Sequence, residues 1–454
     1  MNFNSLEFLV LFLPLTLVSF YVAPMRWRLP VLGVASIIFY GASGLWVLAA
    51  FLVAIGWVYT VAVIGKDWSR FRLVAVAISV PAFFLVMFKY LNFILNSFQA
   101  GLDTRSFFWM FLSILLPAGI SFYTFELASY AVDIADRKIK PDRSLSRFVA
   151  FATFFPHLIA GPIMRYADLR DQLLRLQKEP VLRPDIASGL KLLAVGLFCK
   201  VFFADICGMG VARAKTVPLE QLTAIDQVTE IAFWSMQIYY DFWAYSVMAI
   251  GLGRLFCIEL PVNFREPYRS KNPREFWQRW HITLSYWLRD YVYIRLGGRE
   301  NYIRNILIVF ALVGLWHGAG WNFVAWGVYH GLLVILYHAT APAWDRLWAP
   351  VAVGLTFVLV SLGWPLFFLN LNDYALFLQH LVTAPWHGSV YQPAHWLCLG
   401  VIGLVTFATS EQDWLYNGPD NRNLIMDSPV VLAILMFAAA LFLSLSTTFI
   451  YFRF

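Results

Sequence analysis

Apolar runs alternate with short polar ones along nearly the whole chain. A helix needs about 20 mostly apolar residues to cross the hydrocarbon core of a bilayer. That rule predicts spans over roughly 5–23, 45–65, 72–98, 107–133, 186–209, 228–252, 303–320, 321–340, 348–369, 394–410 and 428–448. Residues 29–43 form a shorter apolar piece, a half-span. About ten to twelve membrane segments follow. The first run, LEFLVLFLPLTLVSFYV, lacks a basic leader and a small-residue cleavage site, so it reads as a retained helix.

Three stretches break this pattern. FATFFPHLIAGPIMRYADL (151–169) starts apolar and is then interrupted by Pro156, Gly161 and Pro162. Non-helical backbone at membrane depth is tolerated only against protein or water, which predicts a re-entrant element lining a cavity. After it, Leu169, Leu173, Leu174 and Leu176 fall near one helical face among charges, the pattern of an interfacial amphipathic helix. The third stretch, PVNFREPYRSKNPREFWQRWHITLSYWLRDYVYIRLGG (261–298), is too polar to face lipid and too aromatic for an open loop.

Composition sharpens the class. Of 454 residues, 60% are hydrophobic and 13% charged, against about 25% charged in soluble domains. No hydrophilic stretch is long enough for a separate soluble domain, so residues 1–454 read as one all-α polytopic membrane domain. Only Arg346, Arg422 and Arg453 of the 34 Lys and Arg residues lie beyond residue 304, whereas residues 265–304 hold nine. Basic loops stay cytoplasmic, so 137–147, 165–191 and 265–304 are placed on that side. The net charge of +7 then reflects loops beside an anionic leaflet, with no nucleic acid implied. Cys199, Cys207, Cys257 and Cys398 are scattered in apolar surroundings and show no metal-ligand spacing.

Two Trp-His dipeptides carry the candidate chemistry. Trp280-His281 and Trp316-His317 flank a basic loop, and the second lies in GLWHGAGWNFVAWGVYHG (314–331), inside a predicted span. An ionisable ring at membrane depth is costly and is kept for a role. Imidazole titrates near neutrality, so it can take a hydroxyl proton and return it without a metal. The bland readings are a satisfied core histidine at 281 and an interfacial aromatic anchor over 261–298. No serine or cysteine adjoins His317, so a local nucleophile–base pair is not indicated and direct transfer between two bound substrates is. Asp290 either orients a histidine or ligand or pairs with Arg289. His157 either lines a cavity or hydrogen-bonds to the backbone. His330, thirteen residues past His317, reads as packing.

The ordered blocks LPAGISFYTFELASYAVDIADRK (116–138), FPHLIAGPIMRY (155–166), QIYYDFWAYSVMAIGLGRLF (237–256), FWQRWHITLSYWLRDYVYIRLGG (276–298) and the 314–331 stretch resemble bacterial membrane-bound O-acyltransferases, specifically the alginate O-acetyltransferase-like branch. The terminal FIYFRF is similar to that branch's usual ending. The resemblance implies a ring of membrane helices around a central funnel, with the motif core at about 116–340. It implies that His317 is the principal active-site histidine and His281 its second motif residue. Trp280, Trp316, Arg279 and Asp290 are the expected substrate-binding neighbours. It also implies a cytoplasmic acyl thioester donor, acetyl-CoA or another acyl thioester, with no permanently bound cofactor or metal. The group would leave on the other face, through a separate SGNH-type acetyltransferase and export components, for a polysaccharide such as alginate. The location implied is the bacterial inner membrane, among its lipids. Where many alginate acetylases read DFSGYSDMAIG, this chain has Trp243-Ala244 for Ser-Gly and Val247 for the carboxylate, which leaves the polymer open.

D-alanyl transfer and peptidoglycan acetylation are the other readings within the family. A lipid-linked sugar transporter is the reading outside it, with the histidines in a proton relay. Such carriers are commonly built from two similar halves, and no internal repeat is evident here.

Overall fold

The computed structural model describes residues 1–97, 117–410, 428–443, 446–447 and 449–450. Among them every regular element is helical. Five helices are long and apolar enough to cross a membrane: Leu45–Ile64, Arg70–Leu95, Ile186–Ala214, Trp321–Trp344 and Ala349–Phe367. The helices Glu7–Val22, Pro393–Ala408 and Pro429–Phe442 match predicted runs but are shorter. The helix Ala224–Leu255 is long but carries Gln227, Glu230, Gln237 and Asp241. The half-span is the 17-residue helix Met25–Gly41. Of the predicted segment 107–133, residues 107–116 lie outside the described residues, and the rest is the helix Ile120–Ala135.

The chain divides into two compact units, Met1–Leu193 with Met248–Pro261, and Ala194–Val247 with Val262–Phe454. In the first, Phe3, Phe8, Phe12, Phe39 and Phe155 interlock with ring centroids 5.0–6.4 Å apart. Phe155 opens the broken segment. The helix Leu145–Thr153 stops there, a single turn Phe155–Leu158 follows, and the helix Tyr166–Lys178 begins after irregular backbone. The break falls where its prolines and glycine placed it. Gly119 has a left-handed φ of 73°, and a Cβ there would come within 2.6 Å of the Leu158 carbonyl oxygen, so only glycine fits.

Buried polar groups hold the irregular backbone. The Ser36 hydroxyl accepts from the Phe155 amide at 3.1 Å. His157 donates through Nε2 to the Phe151 carbonyl at 3.1 Å, the backbone bond that was one of its two readings. Its Nδ1 lies 2.9 Å from Glu126 Oε1, which also accepts the Met164 amide at 3.0 Å. Leu169, Leu173 and Leu176 form the buried face of the amphipathic helix, and Leu174 is half-buried. Arg28 closes that helix by donating to the carbonyls of Leu176, Glu179 and Pro180.

In the second unit the helices Tyr302–His317 and Trp321–Trp344 form a tight antiparallel hairpin. A Cβ on Gly314 would meet the Phe323 carbonyl oxygen at 2.1 Å, and one on Gly327 would meet that of Phe310 at 2.1 Å. Small residues at these positions let the two backbones touch. The sequence placed His317 within a span over 303–320. The helix instead ends at His317, and Gly318-Ala319-Gly320 turns the chain in extended backbone before Trp321. A second feature ties down the C-terminal segment. The Lys200 ammonium, 3% exposed, lies 2.6 Å from Asp205 and 2.7 Å from Asp241. Asp205 also accepts from the hydroxyls of Ser446 and Thr447, and Asp241 from the Ile450 amide at 2.6 Å. A lysine in a membrane span is thus neutralised by two carboxylates.

Candidate active site

His281 is set by a chain reversal. Its φ of 45° places it in the left-handed region just before the helix Ile282–Leu288, a conformation that costs a non-glycine residue about 1–3 kcal/mol. Asn263 holds that reversal. Its backbone carbonyl accepts the Ile282 amide at 2.9 Å. Its side-chain Oδ1 accepts the Thr283 amide at 3.3 Å and the Thr283 hydroxyl at 3.0 Å. An atom that accepts a backbone N–H is the carbonyl end of the amide, so the third contact is fixed too. His281 Nδ1, 3.1 Å from the same oxygen, must be the donor. The neutral ring therefore keeps its lone pair on Nε2. Complete burial pushes the His281 imidazole down to about 3, so the ring is neutral at physiological pH.

Trp316 stands between the two histidines. Its ring lies 5.5 Å from that of His281 and 4.9 Å from that of His317, in edge-to-face arrangements. His317, 3% exposed, packs edge-on against Trp326 at 4.9 Å and Phe367 at 5.3 Å. Phe242 covers His281 from another side at 4.7 Å. Trp326 continues the wall to Trp364 at 5.8 Å, and Trp364 to Trp280 at 5.2 Å. The result is two buried imidazoles in an aromatic, water-poor setting. His330 is fully buried behind Trp326, 4.8 Å ring to ring, in keeping with packing.

The other sequence candidates separate into two groups. Trp280 and Trp316 belong to the aromatic wall. Arg279 and Asp290 sit in local ion pairs: Arg279 pairs with Glu275 at 2.6 Å, and Asp290 with Arg289 at 2.6 Å, one of the two readings given to it. Arg279 and Arg289 line, with Arg265, a polar cavity of about 740 Å³ that also carries Glu266 and Glu275 and has Trp277 in its wall. Trp277 in turn packs on Trp326 at 5.8 Å. Sequence reasoning missed Asn263, Trp326, Trp364 and Phe367. Asn263 left one signal, a lone amide in the apolar lead-in PVNF.

Helices long and apolar enough to cross a membrane, with two buried imidazoles either side of Trp316, define the class as a helical, multi-pass membrane protein. The particular family follows from comparison. The profile of the membrane-bound O-acyltransferase family matches residues 68–359. A probable alginate O-acetylase AlgI of Pseudomonas putida is 37% identical over 383 residues, covering 81% of this chain and 77% of that protein. A peptidoglycan O-acetyltransferase of Helicobacter pylori is 32% identical over 415 residues, covering 80% and 76%. A teichoic acid D-alanyltransferase of Bacillus subtilis is 29% identical over 273 residues, covering 55% and 68%. The chain belongs to the membrane-bound O-acyltransferase family and is a multi-pass bacterial membrane acyltransferase.

Proposed function

We propose that the protein takes an acetyl group from a cytoplasmic acyl thioester, with acetyl-CoA as the donor, and passes it across the membrane toward O-acetylation of an extracytoplasmic polysaccharide. The observation that carries this reading is the pair of imidazoles on either side of Trp316, one of them locked by Asn263 with Nε2 as acceptor. In the transfer, His317 takes the proton from the acceptor hydroxyl while its oxygen attacks the thioester carbonyl. The new C–O bond forms, the C–S bond breaks, and His317 returns the proton to the leaving sulfur. Base and acid are then one group, and no proton is lost. His281, neutral and accepting at Nε2, orients the hydroxyl. The aromatic wall excludes the water that would hydrolyse the thioester.

Arginines 265, 279 and 289 around the polar cavity suit the phosphates of the donor, because guanidinium groups bind phosphate oxygens in pairs. Glu275 holds Arg279 in place before the donor arrives. The relatives support a carbohydrate end-point through their printed names, alginate and peptidoglycan. Completion on a polymer would fall to a separate extracytoplasmic acetyltransferase of the SGNH type, working with the export machinery. Purified full-length protein in lipid vesicles, given labelled acetyl-CoA, tests the reading. Release of thiol with transfer or slow hydrolysis of the label is expected. Strict inertness toward every acetyl thioester, with uptake of a lipid-linked sugar, would replace the acyltransfer scheme by a carrier.

A further inference from the structure

We propose that a groove beside the helix Tyr302–His317 is a binding site for one acidic phospholipid, with an acyl chain in the groove and the phosphate on Arg274 and Arg299. The groove has a volume of about 860 Å³ and is floored by Leu284, Leu288, Ile306, Val309, Phe310 and Val313. Its apolar stripe from Ile306 to Val313 runs about 10 Å along the helix axis at 1.5 Å per residue. Arg274, Arg299, Tyr302 and His338 also line it, and they lie toward the start of that helix and the end of its partner.

Charge and surface both select a lipid. Among the described residues neither Arg274 nor Arg299 has a carboxylate partner, unlike Arg279 and Arg289, which are paired. Both are exposed. Two unpaired guanidinium groups at one end of an apolar groove match a phosphate joined to a hydrocarbon chain, and basic pockets between membrane helices bind acidic headgroups in this way. Ile294, itself in the groove wall, is 58% exposed, and so is Ile303 at the start of the helix. In a membrane acyltransferase such side chains face hydrocarbon, so this end of the groove opens to the lipid phase. The groove shares Trp277, Gln278, Ser285 and Arg289 with the polar cavity, but Leu284, Leu288, Ile306, Val309, Phe310 and Val313 make the rest of its wall apolar, which suits a hydrocarbon chain and not the polar length of a nucleotide-bearing thioester.

The occupant would bear on the aromatic wall. Trp277 lines the groove and packs on Phe310 at 5.0 Å and on Trp326 at 5.8 Å, and Trp326 touches His317. The inference does not rest on the proposed donor or acceptor.

The test uses the full chain in vesicles of phosphatidylethanolamine containing a trace of fluorescent phosphatidylglycerol, with retained lipid counted by native mass spectrometry after mild detergent extraction. One retained phosphatidylglycerol per chain is expected, in preference to phosphatidylethanolamine. Arg274→Gln and Arg299→Gln should each weaken its retention roughly fivefold, at about one surface cation's worth of attraction. Val309→Trp, which fills the groove, should abolish retention of both lipids while circular dichroism shows intact helix. Equal retention of the two lipids, or unchanged retention in both arginine variants, would overturn the proposal. So would competition by acetyl-CoA, which would give the groove to the donor, or by inorganic phosphate alone, which would make it an ion site.

Discussion

Replacing Asn263 with alanine is the most informative single change in the site. The substitution removes one oxygen that accepts from three donors, His281 Nδ1 at 3.1 Å, the Thr283 amide at 3.3 Å and the Thr283 hydroxyl at 3.0 Å. Both partner residues are buried. The hydroxyl can rotate to another acceptor, but the two N–H groups cannot. Each orphaned buried donor costs about 1–3 kcal/mol, so the fold should lose about 3 kcal/mol. The bond from the Ile282 amide to the Asn263 carbonyl survives, so the chain reversal itself should persist. Without its anchor the His281 ring no longer holds one tautomer, and transfer should slow about 10²-fold, the lower end of what a positioned proton-transfer group contributes. Unfolding in a denaturing detergent series and thiol release from acetyl-CoA measure the two effects. Asn263→Asp separates geometry from charge. A carboxylate still accepts all three donors but favours the imidazolium, so the acidic limb of the pH–rate profile should move to higher pH. Parental stability within about 0.5 kcal/mol, together with parental activity for Asn263→Ala, would refute the assigned tautomer and its role.

Other consequences follow from the same packing. Burial lowers the His281 imidazole to about 3, while the unfolded chain titrates near 6.5, so the unfolded state takes up the proton first. Stability should therefore fall as pH drops below about 6.5, with His281 contributing up to about 1.4 kcal/mol per pH unit, and His281→Phe should lessen that slope in unfolding measurements. Lys200→Met leaves Asp205 and Asp241 facing each other without their cation and should cost about 3–5 kcal/mol; pairing it with Asp241→Asn should recover part of the loss, and equal stability of the single variant would contradict the buried ion cluster. A cysteine at Lys271 should react with an impermeant thiol reagent only after the membrane is opened, and labelling in intact cells would reverse the orientation and the donor side together.

Much of the helical layout was legible because hydropathy alone specifies it. The span 45–65 emerged as Leu45–Ile64 and 394–410 as the shorter Pro393–Ala408, since an uninterrupted apolar run marks the part of a helix that faces hydrocarbon. The break at 154–165 was legible from Pro156, Gly161 and Pro162, which cannot continue a helix there. His317 was read as lying within a span over 303–320 because apolar residues continue past it; the helix ends at His317, and Gly318 and Gly320 follow in extended backbone packed against Phe323. The helix Leu371–Thr383 went unseen, although Asn370 accepts the Asp373 amide at 2.9 Å as a helix-starting residue does. Its mixed surface gave no apolar run to notice. In the site, the Trp-His pairs announced themselves by type, whereas Asn263 lies 18 residues before His281 and is joined to it only by tertiary structure. The Asp290–Arg289 pair was one of the two readings that the sequence offered for Asp290, whereas the partner of Arg279, Glu275, is set by the helix Pro273–Arg279. Short-range electrostatics is readable as composition and not as geometry.

The central claim is that His317 carries the proton in acyl transfer. It is tested most directly by thiol release and acetyl transfer from acetyl-CoA by the purified protein in vesicles, comparing the parent with His317→Ala and His317→Asn, alongside His281→Ala and His281→Asn. Loss of a proton-transfer group costs about 10²–10⁴ in rate. Asparagine can accept or donate a hydrogen bond but cannot cycle a proton near neutral pH. Both His317 variants should therefore fall by that factor with unchanged abundance and melting, whereas His281→Asn should keep part of the activity that His281→Ala loses. Transfer at the parental rate by folded His317→Ala would contradict the account and return that histidine to a packing role.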